Sequence, residues 1–230
     1  CMKSIKMLNV VNLFFLCCFA LPFSSCGQST SKSNTKENAS NKTIAEKQSV
    51  SSGKTETATF AAGCFWCVEE QFKQLEGVLS VTSGYTGGTT KNPTYKQVSQ
   101  GTTNHAEACN IVFDPAVISF KELLEAFFVS HDPTQLNQQG NDVGTQYRSA
   151  VFYHNDAQKQ LTEFYIDQLN KEKVYDKPVV TQVAAFEKFY KAEEYHQNYY
   201  ENNPDQAYCR LVVKPKVDKF KKAFSGKLKD

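Results

Sequence analysis

The stretch TATFAAGCFWCVE, residues 57–69, is a short apolar run that ends in glycine and leads into a helical pattern. The run from Thr57 to Ala62 is typical of a β-strand, and Gly63 supplies a flexible joint at its end. The apolar residues beyond it recur at helical spacing: Val68, Phe72 and Leu75. This pattern places Cys64 at a helix N-terminus, where free backbone N–H groups and the helix dipole favour a thiolate over a thiol. The stretch therefore predicts a site for sulfur chemistry.

Two aromatic residues follow this cysteine, Phe65 and Trp66, and the second is the one tryptophan of the chain. An apolar surface must therefore lie close to the sulfur. Two interpretations are open. The rings form ordinary core, or they line a pocket for a small apolar group.

The composition fits one globular domain, which we expect over residues 57–230. With 230 residues, 40% of them hydrophobic and 13% aromatic, the chain can bury a substantial core. The net charge of +2 indicates neither nucleic acid nor an acidic partner. Four of the eight cysteines fall in this domain: Cys64, Cys67, Cys109 and Cys209. One C-x-x-C pair without a second ligand pair does not indicate zinc, so we expect no metal.

Residues 1–26 are predicted to be a signal peptide of lipoprotein type. Lys3 and Lys6 form a basic region, and Val10 to Phe23 is an apolar stretch too short to span a bilayer comfortably. Small residues then precede Cys26, which resembles the lipidated cysteine of bacterial lipoproteins. A membrane-anchoring helix is the alternative interpretation.

Residues 27–56 are predicted to be a disordered tether. They are rich in Ser, Thr, Asn, Gln and Lys, with almost no large apolar residue, so they cannot bury enough surface to fold. After a lipidated cysteine, such a stretch lets a soluble domain stand off the membrane. We therefore expect an extracytoplasmic lipoprotein anchored to a bacterial membrane, in the periplasm or at the cell surface.

Residues 105–114, HAEACNIVFD, are typical of a strand in which alternate residues share one face. The residues of that face are Glu107, Cys109, Ile111 and Phe113. Glu107 is either turned to solvent or buried with a raised pKa, as a general acid requires. Cys109 is expected to pack as a small hydrophobe.

The rest of the domain alternates strand and helix patterns. A capping box at Ser119 to Glu122 opens a core helix. The glycine-rich loop at 86–93 matches no phosphate-binding pattern, and the polar loop at 140–149 is expected to be a structured site loop. Further elements are predicted: strands at 77–85, 150–153 and 178–185, helices at 158–169 and 189–200, the latter with rings that serve packing, and a solvated basic tail at 214–229. The alternation predicts an α+β domain with helices packed on one sheet.

Several motifs resemble, in order, those of the type A peptide methionine sulfoxide reductase family. They are Gly63-Cys64-Phe65-Trp66, Gly84-Tyr85-Thr86-Gly87-Gly88, Asn92-Pro93-Thr94-Tyr95, His105-Ala106-Glu107, His131-Asp132-Pro133, Gly140-Asn141-Asp142, Gly144-Thr145-Gln146-Tyr147-Arg148-Ser149 and Tyr208-Cys209. The resemblance extends from Thr57 to Phe224. It implies an α/β sandwich of ferredoxin-like type with a mixed sheet. It also implies an enzyme that reduces the S epimer of methionine sulfoxide, free or in oxidised proteins.

The resemblance further implies a role for each site residue. Cys64 attacks the sulfoxide sulfur and becomes a sulfenic acid, and Glu107 protonates the departing oxygen. The residues implied to bind that oxygen are Tyr95, Asp142 and Tyr147. The residues implied to hold the methyl group are Phe65 and Trp66. No cofactor is implied. Cleaving a polar S=O bond needs a nucleophile, an acid poised near neutral pH and an apolar pocket, so the chemistry agrees with these roles.

A second thiol is implied to condense with the sulfenic acid into a disulfide, which a thioredoxin-like dithiol then reduces. Cys209 resembles the resolving cysteine of the family and lies in a Pro-flanked segment whose mobility could carry it to Cys64. Cys67 stands where family members have glycine, and it competes because positions i and i+3 of a helix are neighbours. A buried and inert Cys67 is also open. We expect Cys209 to be the resolving thiol, with Cys67 as the competitor.

Two other function classes are compatible with parts of the sequence. A thioredoxin-like dithiol carrier would also use the C-x-x-C pair, and a non-enzymatic surface lipoprotein would need no reactive thiol. The absence of a thioredoxin-like βαβ pattern and the polar residues Glu107 and Tyr147 favour the reductase. We expect it to act as a monomer.

Overall fold

The computed structural model describes residues 53–229 of the chain. The predicted signal peptide with Cys26 and almost all of the predicted tether lie outside these residues. Within the described range, no helix is both long enough and apolar enough to cross a membrane.

The bounds of the secondary-structure elements define the domain. The strands are β1 (Glu56–Ala62), β2 (Val78–Thr86), β3 (Ala106–Phe113), β4 (Gln138–Gln139), β5 (Asp142–Val143), β6 (Ser149–Tyr153), β7 (Gln182–Ala185) and β8 (Phe189–Lys191). The α-helices are α1 (Phe65–Lys73), α2 (Tyr95–Ser99), α3 (Phe120–Ser130), α4 (Asp156–Lys171), α5 (Tyr199–Asn202) and α6 (Lys214–Ala223). Two 3-10 turns, Thr145–Tyr147 and Glu194–His196, and a π-helical turn, Cys209–Val213, complete them.

A six-stranded mixed sheet lies at the centre of the domain, in the order β7-β6-β1-β3-β2-β8. Strands β6, β1, β3 and β2 pair antiparallel, whereas β7 lies parallel to β6. The chain order β1-α1-β2-β3-α3-β6 combined with the sheet order β6-β1-β3-β2 gives two interleaved βαβ units, which is the ferredoxin-like arrangement. The predicted α+β fold class is confirmed.

The main core lies between the sheet and the helices. Helix α1 buries Val68 and Phe72, as their helical spacing predicted, and it also buries Phe65. Burial of each such side chain contributes about 1.5–3 kcal/mol. Helix α3 begins at the predicted capping box. The Glu122 carboxylate accepts the Ser119 backbone N–H at 2.9 Å, and the Ser119 hydroxyl accepts the Glu122 backbone N–H at 3.2 Å. The helices thereby cover the sheet face that carries the site.

Three predictions in the C-terminal half are wrong or incomplete. Residues 189–200 do not form one helix, because Phe189–Lys191 pairs as β8 with the free edge of β2 and Asn198 takes a left-handed φ of 52°. The strand predicted at 178–185 is confined to its last four residues, Gln182–Ala185. The basic tail is not simply a solvated face. Its helix α6 buries Val217 and Phe220, while its lysines are exposed or half-buried.

Candidate active site

Cys64 lies at the turn between β1 and α1, as predicted. Gly63 makes this turn with a φ of +87°, and a Cβ atom at this glycine would lie 2.7 Å from the side chain of Gln139. Cys64 is the N-cap of α1, and its carbonyl accepts the N–H groups of Cys67 and Val68 at 3.1 and 3.4 Å. Its side chain is buried. Glycine is therefore required here, both for the left-handed turn and for the close approach of the β4–β5 hairpin.

The thiol of Cys64 lies in surroundings that favour its neutral form. Burial raises the pKa of Cys64 well above its ordinary value and Cys67 raises it further, whereas the Tyr208 hydroxyl and the Trp66 N–H lower it. The prediction that the helix N-terminus favours a thiolate is wrong for this state, because the loss of hydration outweighs the dipole. Burial thus favours the protonated thiol of Cys64.

Glu107 lies on β3, and its side chain faces the start of α1. It is only 2% exposed, and its Oε2 accepts the Phe65 N–H at 3.1 Å. Burial raises the pKa of Glu107 well above its usual range, the charges of Cys64 and Asp142 raise it further, and the hydrogen bond from Phe65 lowers it. The interpretation that Glu107 faces solvent is wrong. Burial therefore favours the protonated form of this carboxyl group, which can donate a proton.

Two tyrosines predicted for the site surround Glu107. Tyr95 begins the short helix α2, and burial together with Glu107 raises its pKa to about 12. Tyr147 ends the 3-10 turn of the polar loop, and burial and Glu107 raise its pKa as well. Both hydroxyl groups therefore remain protonated at neutral pH and can donate hydrogen bonds.

Asp142 is joined to the thiol through a tyrosine of the C-terminal segment. The Tyr208 hydroxyl donates to Asp142 Oδ2 at 2.7 Å and also lies within hydrogen-bonding reach of the Cys64 sulfur. The β4–β5 hairpin, the start of α1 and the segment that contains Tyr208 thus lie in contact at the Cys64 thiol.

The aromatic side of the site is centred on Trp66. Its indole stacks on Tyr199 with ring centroids 3.7 Å apart and planes 7° apart, and it meets the Tyr208 ring edge-on at 5.8 Å. Its Nε1 donates to His196 Nδ1 at 3.1 Å. Phe65 is fully buried, whereas Trp66 is half-buried. Phe65 therefore belongs to the core beneath the site, and Trp66 offers the accessible apolar face.

Three of the four cysteines of the domain lie in one buried cluster: Cys64, Cys67 and Cys209. Cys209 is fully buried at the start of the π-helical turn. The sequence suggested a segment whose mobility could carry Cys209 to Cys64, and the structure places Cys209 in the same buried cluster as Cys64. All four thiols are free. Within residues 53–229, no three His, Cys, Asp or Glu side chains are grouped so that they could hold a metal ion.

Cys109 lies outside this cluster, as expected of a small buried hydrophobe. Its sulfur donates to the Phe65 carbonyl oxygen at 3.6 Å and contacts the Ser83 hydroxyl at 3.8 Å. These contacts fix the start of α1 on β3.

The chain matches the family model of peptide methionine sulfoxide reductase over residues 56–228. It belongs to this family. The peptide methionine sulfoxide reductase MsrA of Natronomonas pharaonis is 53% identical over 174 residues, which are 76% of this chain and 98% of that protein. The MsrA of Haloquadratum walsbyi is 55% identical over 174 residues, 76% of this chain and 99% of that protein. The predicted enzyme class, an oxidoreductase that reduces methionine sulfoxide, is confirmed.

Solved structures of this reductase family share the fold. Reduced Mxr1 from Saccharomyces cerevisiae has a TM-score of 0.63 and 35% identity, over 69% of this chain and 91% of that chain. Methionine sulfoxide reductase A of Corynebacterium diphtheriae has a TM-score of 0.59 and 35% identity, over 66% of this chain and 77% of that chain.

Residues 193–199 support the side chains of the site, although their sequence pattern indicated only rings that serve packing. Glu193 accepts the Tyr85 hydroxyl at 2.8 Å and the Tyr95 N–H at 2.9 Å, and so fixes the start of α2. His196 and Tyr199 hold the indole of Trp66. The sequence of this segment contained a signal for such a role, because a histidine and acidic residues among clustered aromatic rings seldom serve only to fill a core.

Proposed function

We propose that Cys64 is the nucleophile and Glu107 the general acid in the reduction of the S epimer of methionine sulfoxide by this chain. The observation that carries this assignment is the placement of a buried, neutral carboxyl group beside a buried thiol. The backbone N–H of Phe65, the residue next to Cys64, holds Glu107 at 3.1 Å. General acid catalysis by such a group is typically worth about 10²–10⁴-fold in rate.

Cys64, Glu107 and the substrate supply all the atoms and protons of the first step. The Cys64 sulfur attacks the sulfoxide sulfur while Glu107 gives its proton to the sulfoxide oxygen. The oxygen passes to Cys64, which becomes a sulfenic acid, and the thioether of methionine leaves. The proton of the Cys64 thiol replaces the proton that Glu107 gave.

The remaining site residues bind the substrate. The hydroxyl groups of Tyr95 and Tyr147 stabilise the sulfoxide oxygen as charge develops on it, and Asp142 orients Tyr208 toward the sulfur. The methyl group docks on the face of Trp66, with Phe65 beneath it. This arrangement supplies the polar side and the apolar side that a sulfoxide requires.

Resolution of the sulfenic acid uses a thiol of the same cluster. Attack by this second thiol forms a disulfide with Cys64 and releases water, and a thioredoxin-like dithiol then reduces the disulfide by exchange. Cys209 is the resolving thiol that the family motif indicates, and its burial in the cluster supports it. Cys67 competes, since it lies close enough to Cys64 to raise its pKa.

Turnover of a coloured substrate tests the function. We expect the protein with dithiothreitol to reduce dabsylated methionine S-sulfoxide and to leave the R epimer unchanged. Cys64→Ser removes the nucleophile and is expected to abolish the reaction. Cys109→Ser is the matched control, because a serine hydroxyl can still donate to the Phe65 carbonyl, and it should retain turnover. Activity near wild type in Cys64→Ser would contradict the proposal.

The N-terminal segment supports a cellular location for this reaction. The basic, apolar and small-residue regions stand in signal order before Cys26, and a polar stretch follows them. The proposed protein is therefore a membrane-anchored bacterial lipoprotein whose domain acts outside the cytoplasm, as a monomer, on oxidised proteins or free methionine sulfoxide. A dithiol carrier is not supported, because the chain belongs to the reductase family.

A further inference from the structure

A carboxylate that the proposed mechanism does not use lies buried behind the aromatic wall of the site. Glu69 is on α1, five positions after the nucleophile, and only 2% of it is exposed. Both of its oxygens accept the backbone N–H of Asn198, at 3.1 and 3.0 Å. Glutamate is rarely buried to this extent unless a specific partner holds it.

The backbone that Glu69 holds leads directly into the ring that stacks on Trp66. Asn198 is in the left-handed conformation, with a φ of 52°, and precedes α5. Tyr199 is the first residue of α5, and its backbone N–H also favours the charged form of Glu69. The Tyr199 ring then stacks on Trp66 at 3.7 Å. Helix α1 and its N-cap therefore carry Cys64, the indole of Trp66 and the carboxylate of Glu69. This carboxylate fixes the Tyr199 ring that stacks on the indole.

Further charges surround this carboxylate. Lys73, one turn along α1, donates from Nζ to the Asn198 side-chain oxygen at 2.7 Å and pairs with Glu201 of α5 at 2.7 Å. Burial raises the pKa of Glu69 to about 7, the Asn198 N–H and Lys73 lower it, and Glu70 raises it. The charge of Glu69 in turn helps to raise the pKa of Cys109. Segment 198–201 is thus tied to α1 through backbone and side chain together.

We propose that Glu69 is a positioning residue that holds Tyr199 against Trp66 and so fixes the indole on which the methyl group of the substrate docks. This inference rests on the proposed function, because it needs Trp66 to be the face on which the substrate docks. Glu69 does not touch the reacting atoms. Its removal should therefore affect substrate binding more than the chemical step.

The variant Glu69→Gln tests this role, since its amide keeps one acceptor oxygen but presents a donor in place of the other, and it removes the charge that holds the backbone N–H groups. The single tryptophan reports on the stack without any turnover. We expect the acrylamide quenching constant of Trp66 to rise about twofold, because the stacked ring shields one of the two faces of the indole. We expect KM for methionine S-sulfoxide to rise about threefold to tenfold, with the maximal rate of methionine release within about threefold of wild type.

Glu70→Gln is the matched control on the same helix. Glu70 is also buried, but its carboxylate accepts from the Gln74 side chain at 2.6 Å and not from segment 198–201. Quenching and KM should stay at the wild-type values in this variant. Unchanged quenching and KM in Glu69→Gln, or a loss confined to the maximal rate, would overturn the inference.

A double-mutant cycle keeps the proposal testable if Glu69→Gln does not fold. Glu69→Asp shortens the carboxylate by one methylene group and keeps its charge. If Glu69 acts through Tyr199, Glu69→Asp should raise quenching and KM in the wild-type background and change neither in the Tyr199→Ala background. Additive effects of the two substitutions would refute the role. If quenching increases in Glu69→Gln but the wild type does not reduce methionine sulfoxide, the proposed function is refuted. The role of Glu69 in holding Tyr199 against Trp66 is then kept.

Discussion

The catalytic pair shows at the scale of single residues how burial changes acid–base chemistry. Loss of hydration raises the pKa of both Cys64 and Glu107, and the charge of Cys64 raises the pKa of Glu107 further. A thiolate at Cys64 and a carboxylate at Glu107 would repel each other. The form in which both groups are protonated is therefore the more stable one. The reaction therefore begins with both protons in the site.

The first prediction concerns the acid. Glu107→Gln keeps the shape and can still accept the Phe65 N–H, but it has no proton to give. The single-turnover rate of methionine release should fall about 10²–10⁴-fold. Glu125→Gln is the matched control, because Glu125 is a buried glutamate of α3 bonded to Lys121 and Tyr165. A fall of less than about tenfold in Glu107→Gln would show that Glu107 is not the general acid.

At the scale of elements, the π-helical turn Cys209–Val213 determines which thiols can meet. Cys209 and Val213 both face inward from this turn and are fully buried beside the start of α1. The wider helical turn keeps Cys209 in the cluster while α6 continues from it. Both thiols that compete for the proposed resolving role, Cys67 and Cys209, therefore share one buried cluster with Cys64.

The second prediction identifies the resolving thiol. After one equivalent of substrate, peptide mapping should find Cys64 joined to Cys209. Cys209→Ser should stall thioredoxin-driven turnover and leave the first methionine released at the wild-type rate, because that release precedes disulfide formation. Cys67→Ser is the companion variant, and it should still cycle. A disulfide between Cys64 and Cys67 with Cys209→Ser fully active would reverse this assignment.

A half-buried histidine, His131, joins three elements of the domain. The ring of His131 donates to the Phe127 carbonyl oxygen of α3 at 2.8 Å and accepts from the Ser149 hydroxyl of β6 at 2.7 Å. That hydroxyl also contacts Thr181 at 2.8 Å, just before β7. With Nδ1 as donor and Nε2 as acceptor, this arrangement uses both ring nitrogens of a neutral imidazole.

The third prediction follows from this neutral state. Burial lowers the pKa of His131 from 6.5 to about 4, so the unfolded chain binds the proton more tightly than the folded chain. The contribution of His131 to stability is therefore complete above about pH 6.5 and is lost as the pH falls toward about 4. Urea midpoints measured across this range should fall more steeply for wild type than for His131→Gln. Equal slopes would contradict the prediction.

At the scale of the whole molecule, the site lies where additions to the ferredoxin-like core meet that core. Strands β1 and β3 and helix α1 supply the thiol and the acid. The polar loop supplies Tyr147, and the segment after β8 supplies His196 and Tyr199. The C-terminal residues therefore complete the pocket from the far end of the chain.

The fourth prediction concerns how this domain is held in the cell. Mass spectrometry of the membrane fraction should find Cys26 lipidated at the mature N-terminus, because the sequence before it predicts a signal of lipoprotein type. Cys26→Ser should release the protein from the membrane. Unmodified Cys26 on protein recovered from the cytoplasm would refute the anchor.

The sequence by itself determined the elements whose signals are local. The strand before Gly63, the helix after Cys64 and the capping box of α3 all follow from side-chain periodicity and end groups, which neighbouring residues set. The same periodicity left open whether Glu107 is buried or turned to solvent. The family motifs named the nucleophile and the acid in the same way, since each motif is a short run of residues.

Only the tertiary structure decided the protonation of the site and the wall of its pocket. The hydrogen bond from Trp66 to His196 joins residues 130 positions apart, and β8 forms because β2 leaves a free edge for it. Such contacts outweigh local propensity for the residues involved, and no periodicity encodes them. Desolvation likewise depends on every element that covers a group. For that reason the pattern predicted a thiolate at Cys64, and the folded protein holds a thiol.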